Sequence, residues 1–259
     1  MPFVWMSAVP KIIGGVASFD TRLVQLSPAQ TRAIGAVVAD GVVYCSATMI
    51  TPRVALTAAH CGNVLEEFRT GRDITRPEAT AKILALAFQP LYQRGAPGHD
   101  VALAYLDRDL PVDPIRIGGP PDVDEQVQTA GYGRTIPDTP GNTERFWLVE
   151  TVASINETEF SVTQHGQHGQ CMGDSGGPAL VMRNGYPVLV GTVSHGDANC
   201  IGVDFYTRAD TVAPWIEDTL KAWKAHPPKP LVRTAAVGWG IGVLFVGLAV
   251  GIWVRRGSK

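Results

Sequence analysis

The chain has 259 residues, of which 45% are hydrophobic and 18% charged, with four cysteines and a formal net charge of −2. That balance supplies enough apolar surface for a packed core and excludes a disordered or low-complexity chain. Near-neutral charge and the lack of a basic stripe give no reason to expect nucleic acid as a partner.

In chain order, Met1–Pro10 is too short and lacks the cationic start of a secretory signal, so export would need an upstream start or another route. Ile12-Ile13-Gly14-Gly15 reads, on its residues alone, as a strand running into a turn. Short β-branched runs follow at Val42–Ile50, Val54–Thr57, Val101–Leu106, Phe146–Ile155, Phe160–Thr163, Val188–Val193 and Phe205–Thr207, separated by Gly, Pro, Asn and Asp clusters. This is an all-β pattern. The exception is Val212–Ala225, where Val212, Trp215, Ile216, Leu220 and Trp223 recur at helical spacing after Asp210-Thr211 as a start signal.

Three segments carry candidate chemistry. Thr57-Ala58-Ala59-His60-Cys61 sets a histidine among small residues behind a buried strand, and His60 is the candidate general base. Asp100 opens the apolar run Val101–Leu106, where a solvated carboxylate gains nothing from its neighbours; it is the candidate group to orient that base. Gly173-Asp174-Ser175-Gly176-Gly177-Pro178 places one serine in a glycine-rich turn, where the N–H groups of Gly173 and Ser175 can converge on an oxyanion. A serine of this kind is weak until a base takes its proton, so the three segments require one another.

In the order His60, Asp100, Ser175, with Ile12–Gly15, Ala130-Gly131-Tyr132-Gly133 and Ser194-His195-Gly196 in step, the chain resembles the chymotrypsin-type (trypsin-like) serine peptidases from Ile12 to about His226. The resemblance implies two antiparallel six-stranded β-barrels with the triad at their interface, a C-terminal helix, and protein or peptide substrates. It implies the disulfides Cys45–Cys61 and Cys171–Cys200, hence an oxidising compartment. It makes Lys11-Ile12 an activation site, cut by another peptidase or by the protein itself, after which the Ile12 ammonium pairs with Asp174; residues 1–11 are then a propeptide or an incomplete export segment. A peptidase-fold binding module without turnover is the alternative. No cofactor or metal is needed.

Specificity departs from the family pattern. The residue six before Ser175 is Gly169, where trypsin-like members carry an aspartate. Asp204 falls instead near a position that lines the pocket base, and an acid there would select Arg or Lys; a solvated loop acid is the competing reading. Ser194 and Gly196 are the expected pocket wall, with His195 replacing the family's frequent Trp. His165 and His168, three apart in a glycine-rich loop, fall short of a zinc ligand set, and Asn156-Glu157-Thr158 matches a glycosylation acceptor.

Beyond the peptidase region, residues 227–234 form a Pro-rich spacer and 235–254 an uncharged apolar run, followed by the basic tail Arg255–Lys259. Twenty residues at about 1.5 Å each span a bilayer core, so Ala235–Val254 is expected to be a transmembrane helix with its tail cytoplasmic and the peptidase domain outside. Its glycines permit self-association, and the tail also resembles bacterial sorting signals removed after export. The expected location is therefore a single-pass protein of the cell membrane, with release by C-terminal processing as an option.

Overall fold

A computed structural model describes residues 23–134, 142–163, 169–197, 199–200 and 202–230. The first barrel comprises β1 (Ile34–Ala39), β2 (Val42–Thr51), β3 (Val54–Thr57), β4 (Glu67–Thr70), β5 (Ala79–Phe88) and β6 (Ala102–Leu106). Its ring runs β1-β2-β3-β6-β5-β4 and closes through the antiparallel pairing of β1 with β4. The β1–β2 hairpin turns on Asp40 and Gly41, both at positive φ, the pair that matches strand twist in a two-residue loop.

The second barrel comprises β8 (Gln126–Gly131), β9 (Phe146–Ile155), β10 (Glu159–Thr163), β11 (Pro178–Arg183), β12 (Tyr186–His195) and β13 (Val203–Arg208), with the short β7 (Arg116–Ile117) added in parallel outside β12. Pairing of β11 with both β8 and β12 closes six strands into a ring. Its β11–β12 hairpin again turns on an Asn-Gly pair at positive φ, Asn184 and Gly185. Phe160 and Tyr206 stack within its core, with ring centroids 4.9 Å apart.

The expected all-β double barrel and closing helix are therefore present. Helix α1 runs Ala209–Ala225, starting three residues before the periodic apolar positions because Asp210, read as a start signal, occupies the first turn, where its charge favours the helix dipole. Ala209, Val212 and Ile216 bury one face, and Trp223 packs edge-on against Tyr105 of β6, so the helix rests back on the first barrel. Among the described residues no helix is long and apolar enough to cross a membrane. The expected transmembrane run 235–254, the basic tail, Lys11 to Gly15, and His165 with His168 lie outside the described residues.

Candidate active site

The two barrels meet along a seam to which each contributes loops. His60 sits in the 3-10 segment Ala59–Val64 that leaves β3, and the disulfide Cys45–Cys61 ties this segment to β2. Asp100 precedes β6 and is delivered by His99, a non-glycine residue at φ 57°. His60 Nδ1 lies 2.6 Å from Asp100 Oδ2, and the His60 N–H donates to Asp100 Oδ1 at 2.9 Å. Ser194 Oγ donates to Asp100 Oδ2 at 2.8 Å, from the second barrel.

Burial pushes the Asp100 carboxyl upward, but the hydrogen bonds and charge of His60 together with the Ser194 hydroxyl outweigh it and hold the group below the usual carboxylate range. Asp100 therefore stays ionised against the imidazole. This fixes the ring's orientation and leaves Nε2 to face the cleft.

Ser175 is half-buried at the seam, in the turn between the Cys171–Cys200 disulfide and β11. Ser46 of β2 pins that turn: its N–H donates to Ser175 O at 2.8 Å and its Oγ to Gly173 O at 2.9 Å, while the Tyr132 N–H donates to Ser46 Oγ at 3.0 Å. Gly173 holds φ 105°, a left-handed conformation that turns its carbonyl to Ser46. Among the described residues neither the Gly173 nor the Ser175 N–H donates a hydrogen bond, as an oxyanion site requires. No hydrogen bond joins Ser175 Oγ to His60 in this structure; catalytic contacts of this kind often tighten only around substrate.

Asp174, next to the serine, is wholly buried. Its carboxylate accepts from the N–H groups of Gly133 at 2.8 Å and Cys171 at 2.9 Å. Burial is the dominant influence and raises the group to about 7 in spite of those two donors. The motif Ala130–Gly133 is explained by the same contact, since a side chain at Gly133 would collide with Asp174.

A cavity of about 230 Å³ opens beside Ser175, lined among others by Gln170, Ser194, Gly196, Asp197 and Asp204. Asp204, on β13, is 1% exposed, which rules out the solvated loop acid. Its Oδ2 accepts from the Gln170 N–H at 2.8 Å, and Gly196 lies so close that a Cβ there would come within 1.9 Å of Oδ1. Burial raises Asp204 to about 8, and the nearby carboxylates Glu150, Asp174 and Asp197 push the same way against the Gln170 hydrogen bond. Gly169 is buried next to Gln170, whose backbone N–H faces Asp204, and is not among the residues that line this cavity.

Both expected disulfides are formed. Cys45, Cys61 and His60 cluster closely enough to suggest metal ligands, but both sulfurs are consumed in a disulfide. Several contributors escaped sequence reasoning. Ser46 is one; another is the buried network in which Gln170 Nε2 reaches Thr129 Oγ1 at 2.8 Å and Glu150 Oε2 at 3.1 Å while Tyr206 donates to Glu150. For Ser46, Thr129, Glu150 and Tyr206 a polar group inside a strand was the available signal, and without a partner in view it read only as an interruption; Gln170 lies in a loop.

Residues 24–216 match the family described as Trypsin. The chain is 25% identical over 189 residues to a trypsin of Saccharopolyspora erythraea, covering 63% of this chain and 80% of that protein. It is 24% identical over 202 residues to granzyme C of Mus musculus, covering 69% and 80%, and 26% identical over 220 residues to the CLIP domain-containing serine protease C9 of Anopheles gambiae, covering 71% and 62%. The solved structure of mouse neuropsin, a serine protease, shares the fold with a TM-score of 0.67 at 22% identity, over 75% of this chain and 97% of its own. The chain belongs to the trypsin family of serine endopeptidases.

Proposed function

We propose that the chain hydrolyses peptide bonds through an acyl-enzyme formed on Ser175. His60 takes the Ser175 Oγ proton as that oxygen attacks the carbonyl carbon, then returns it to the leaving amine; water repeats the sequence to release the acid. Asp100 holds the imidazole tautomer, and the N–H groups of Gly173 and Ser175 receive the oxyanion. The observation that carries this reading is the 2.6 Å His60–Asp100 contact facing a turn whose two N–H groups are uncommitted among the described residues.

Asp204 gives the primary pocket its preference: an ionised carboxylate at the floor of the 230 Å³ cavity pairs with an Arg or Lys side chain. The chain is made as a zymogen. Cleavage at Lys11-Ile12 frees an ammonium that enters the seam and neutralises Asp174, ordering the turn that bears Gly173 and Ser175. Burial of Asp174 at a group raised to about 7 supports this, because an introduced cation is then stabilised against an otherwise costly buried carboxylate. An apolar segment at 235–254 tethers the domain to a membrane, with the disulfide-bearing catalytic domain on the extracytoplasmic side.

The test is covalent labelling of Ser175 by a fluorophosphonate in the full chain before and after cleavage at Lys11. Labelling after cleavage and not before is expected. Absence of labelling in the folded, cleaved protein leaves the binding module, and equal labelling in both forms ends the zymogen reading. Retention in membranes after alkaline extraction, lost when 235–254 is deleted, checks the tether.

A further inference from the structure

Next to the primary pocket, and separated from it by His195, lies a second cavity of about 370 Å³, lined by His60, Tyr92, Arg94, Pro97, Asp100 and His195 among others. The two cavities differ in charge. The primary pocket carries the carboxylates Asp197 and Asp204, whereas the carboxylate bordering the second, Asp100, is buried and committed to His60 and Ser194.

Three donors converge on this second space. His195 stacks face to face on Phe205, with centroids 4.6 Å apart and planes 3° from parallel, which fixes the ring. Its Nδ1 faces inward, 3.3 Å from Ser194 Oγ and 3.6 Å from Oε1 of the buried Glu159, so the Nε2 edge is left on the exposed side. Arg94 lies across the space, its guanidinium reaching the His60 carbonyl at 3.4 Å. Tyr92 Oη is buried without a hydrogen-bond partner among the described residues, an arrangement that costs free energy unless a ligand supplies an acceptor.

We propose that Tyr92, Arg94 and His195 form an anionic-side-chain subsite that selects Asp or Glu on the substrate residues preceding the scissile one. A carboxylate fits this set on chemical grounds: it accepts from the Tyr92 hydroxyl and from the Arg94 fork, and the outward Nε2 edge of His195 is a third donor when it carries a proton. With the acidic floor of the neighbouring pocket, the cleft then reads an acidic residue followed by a basic one. The inference rests on the reading of this cleft as the substrate site.

Binding to the chain carrying Ser175→Ala and cut at Lys11-Ile12 by an added peptidase, which needs no turnover, tests it. Fluorescent peptides share one Arg at the scissile position and carry Glu, Gln or Lys at each of the three preceding positions in turn. At one position or more, Glu is expected to bind ~5-fold tighter than Lys, the size of a partly exposed charge contact. Arg94→Glu is expected to invert that ratio, and Tyr92→Phe and His195→Gln to reduce it. Arg94 is exposed, and Arg94→Gln, which abolishes the ratio without reversing a charge, serves if the inversion disturbs folding. Lys bound as well as Glu at every position, or a ratio unchanged in all four variants, overturns the subsite. A ratio that persists in a Ser175 protein whose wild-type form cleaves none of the peptides overturns the peptidase reading while upholding the subsite.

Discussion

The two barrels treat their buried carboxylates in opposite ways. In the first, Asp100 meets its cation within the fold: hydrogen bonds and charge from His60 overcome burial, and the carboxyl is held low. In the second, burial wins at both Asp174 and Asp204, and the groups rise to about 7 and about 8 despite the backbone N–H groups they accept from. The difference separates a preassembled half from a conditional one. His60 and Asp100 are paired once the chain folds, whereas Asp174 and Asp204 have no cation within the described residues to hold them low, and on the proposed reading each gains one only from a freed terminus or a bound substrate.

The largest expected effect strikes the preassembled half. His60→Ala or Ser175→Ala should lower kcat/KM on an Arg ester by at least about 10⁴-fold with the fold intact by circular dichroism. A loss of only a few fold would remove the triad assignment.

The conditional half is sharpened by Asp204. Asp204→Asn should erase the preference for Arg over Phe at the scissile position, roughly 10²-fold if a well-placed buried pair is lost. The sign of the pH effect follows from a carboxyl near 8. Below that value the empty pocket holds a proton that a basic side chain must displace, so KM for the Arg substrate should fall as pH rises from about 6 to 8 while KM for the Phe substrate stays flat. A flat Arg profile would mean that Asp204 does not face the bound cation.

Asp174 makes a stability statement. Its folded value of about 7 exceeds the ordinary 3.8, so the folded chain binds the proton more tightly than the unfolded one. Its contribution is fully present below about 3.8 and is lost as pH rises toward 7, on the order of a few kcal/mol. Asp174→Asn in the uncleaved chain should therefore raise Tm at pH 8 and leave it nearly unchanged at pH 4, while abolishing activation. Thermal melts at the two pH values check this, and equal shifts at both would show that charge burial is not the cause.

The smallest effect tests the seam that joins the halves. Ser46→Ala leaves the buried Tyr132 N–H and Gly173 carbonyl without their hydroxyl partner, at a cost of about 1–3 kcal/mol by denaturant unfolding, with a fall in kcat as the turn loosens. Stability without a change in kcat would limit Ser46 to packing.

Much of this architecture could be read in advance. Alternating β-branched runs broken by Asp-Gly and Asn-Gly turns announce hairpins locally, because such turns need positive φ and few residues tolerate it. His60, Asp100 and Ser175 were legible because each sits in an unusual local setting. Asp204 stayed open because position in the chain does not say whether a carboxylate ends buried or solvated. Ser46 and Glu150 stood in the sequence only as polar interruptions of strands and Gln170 as a loop residue, because their partners lie 127, 56 and 41 residues away.

The sequence by itself determined the strand pattern, the closing helix, the three chemical residues and the cysteines available to staple them, since periodicity, turn chemistry and residue type act over a few neighbours. Only the tertiary structure decided which carboxyl is held low and which are raised, that Asp204 is buried against the cavity beside Ser175, and that Tyr92, Arg94 and His195 border one cavity. Burial and the electrostatic field at a side chain are sums over groups distant in the chain, and these exist only after the two barrels have closed against each other.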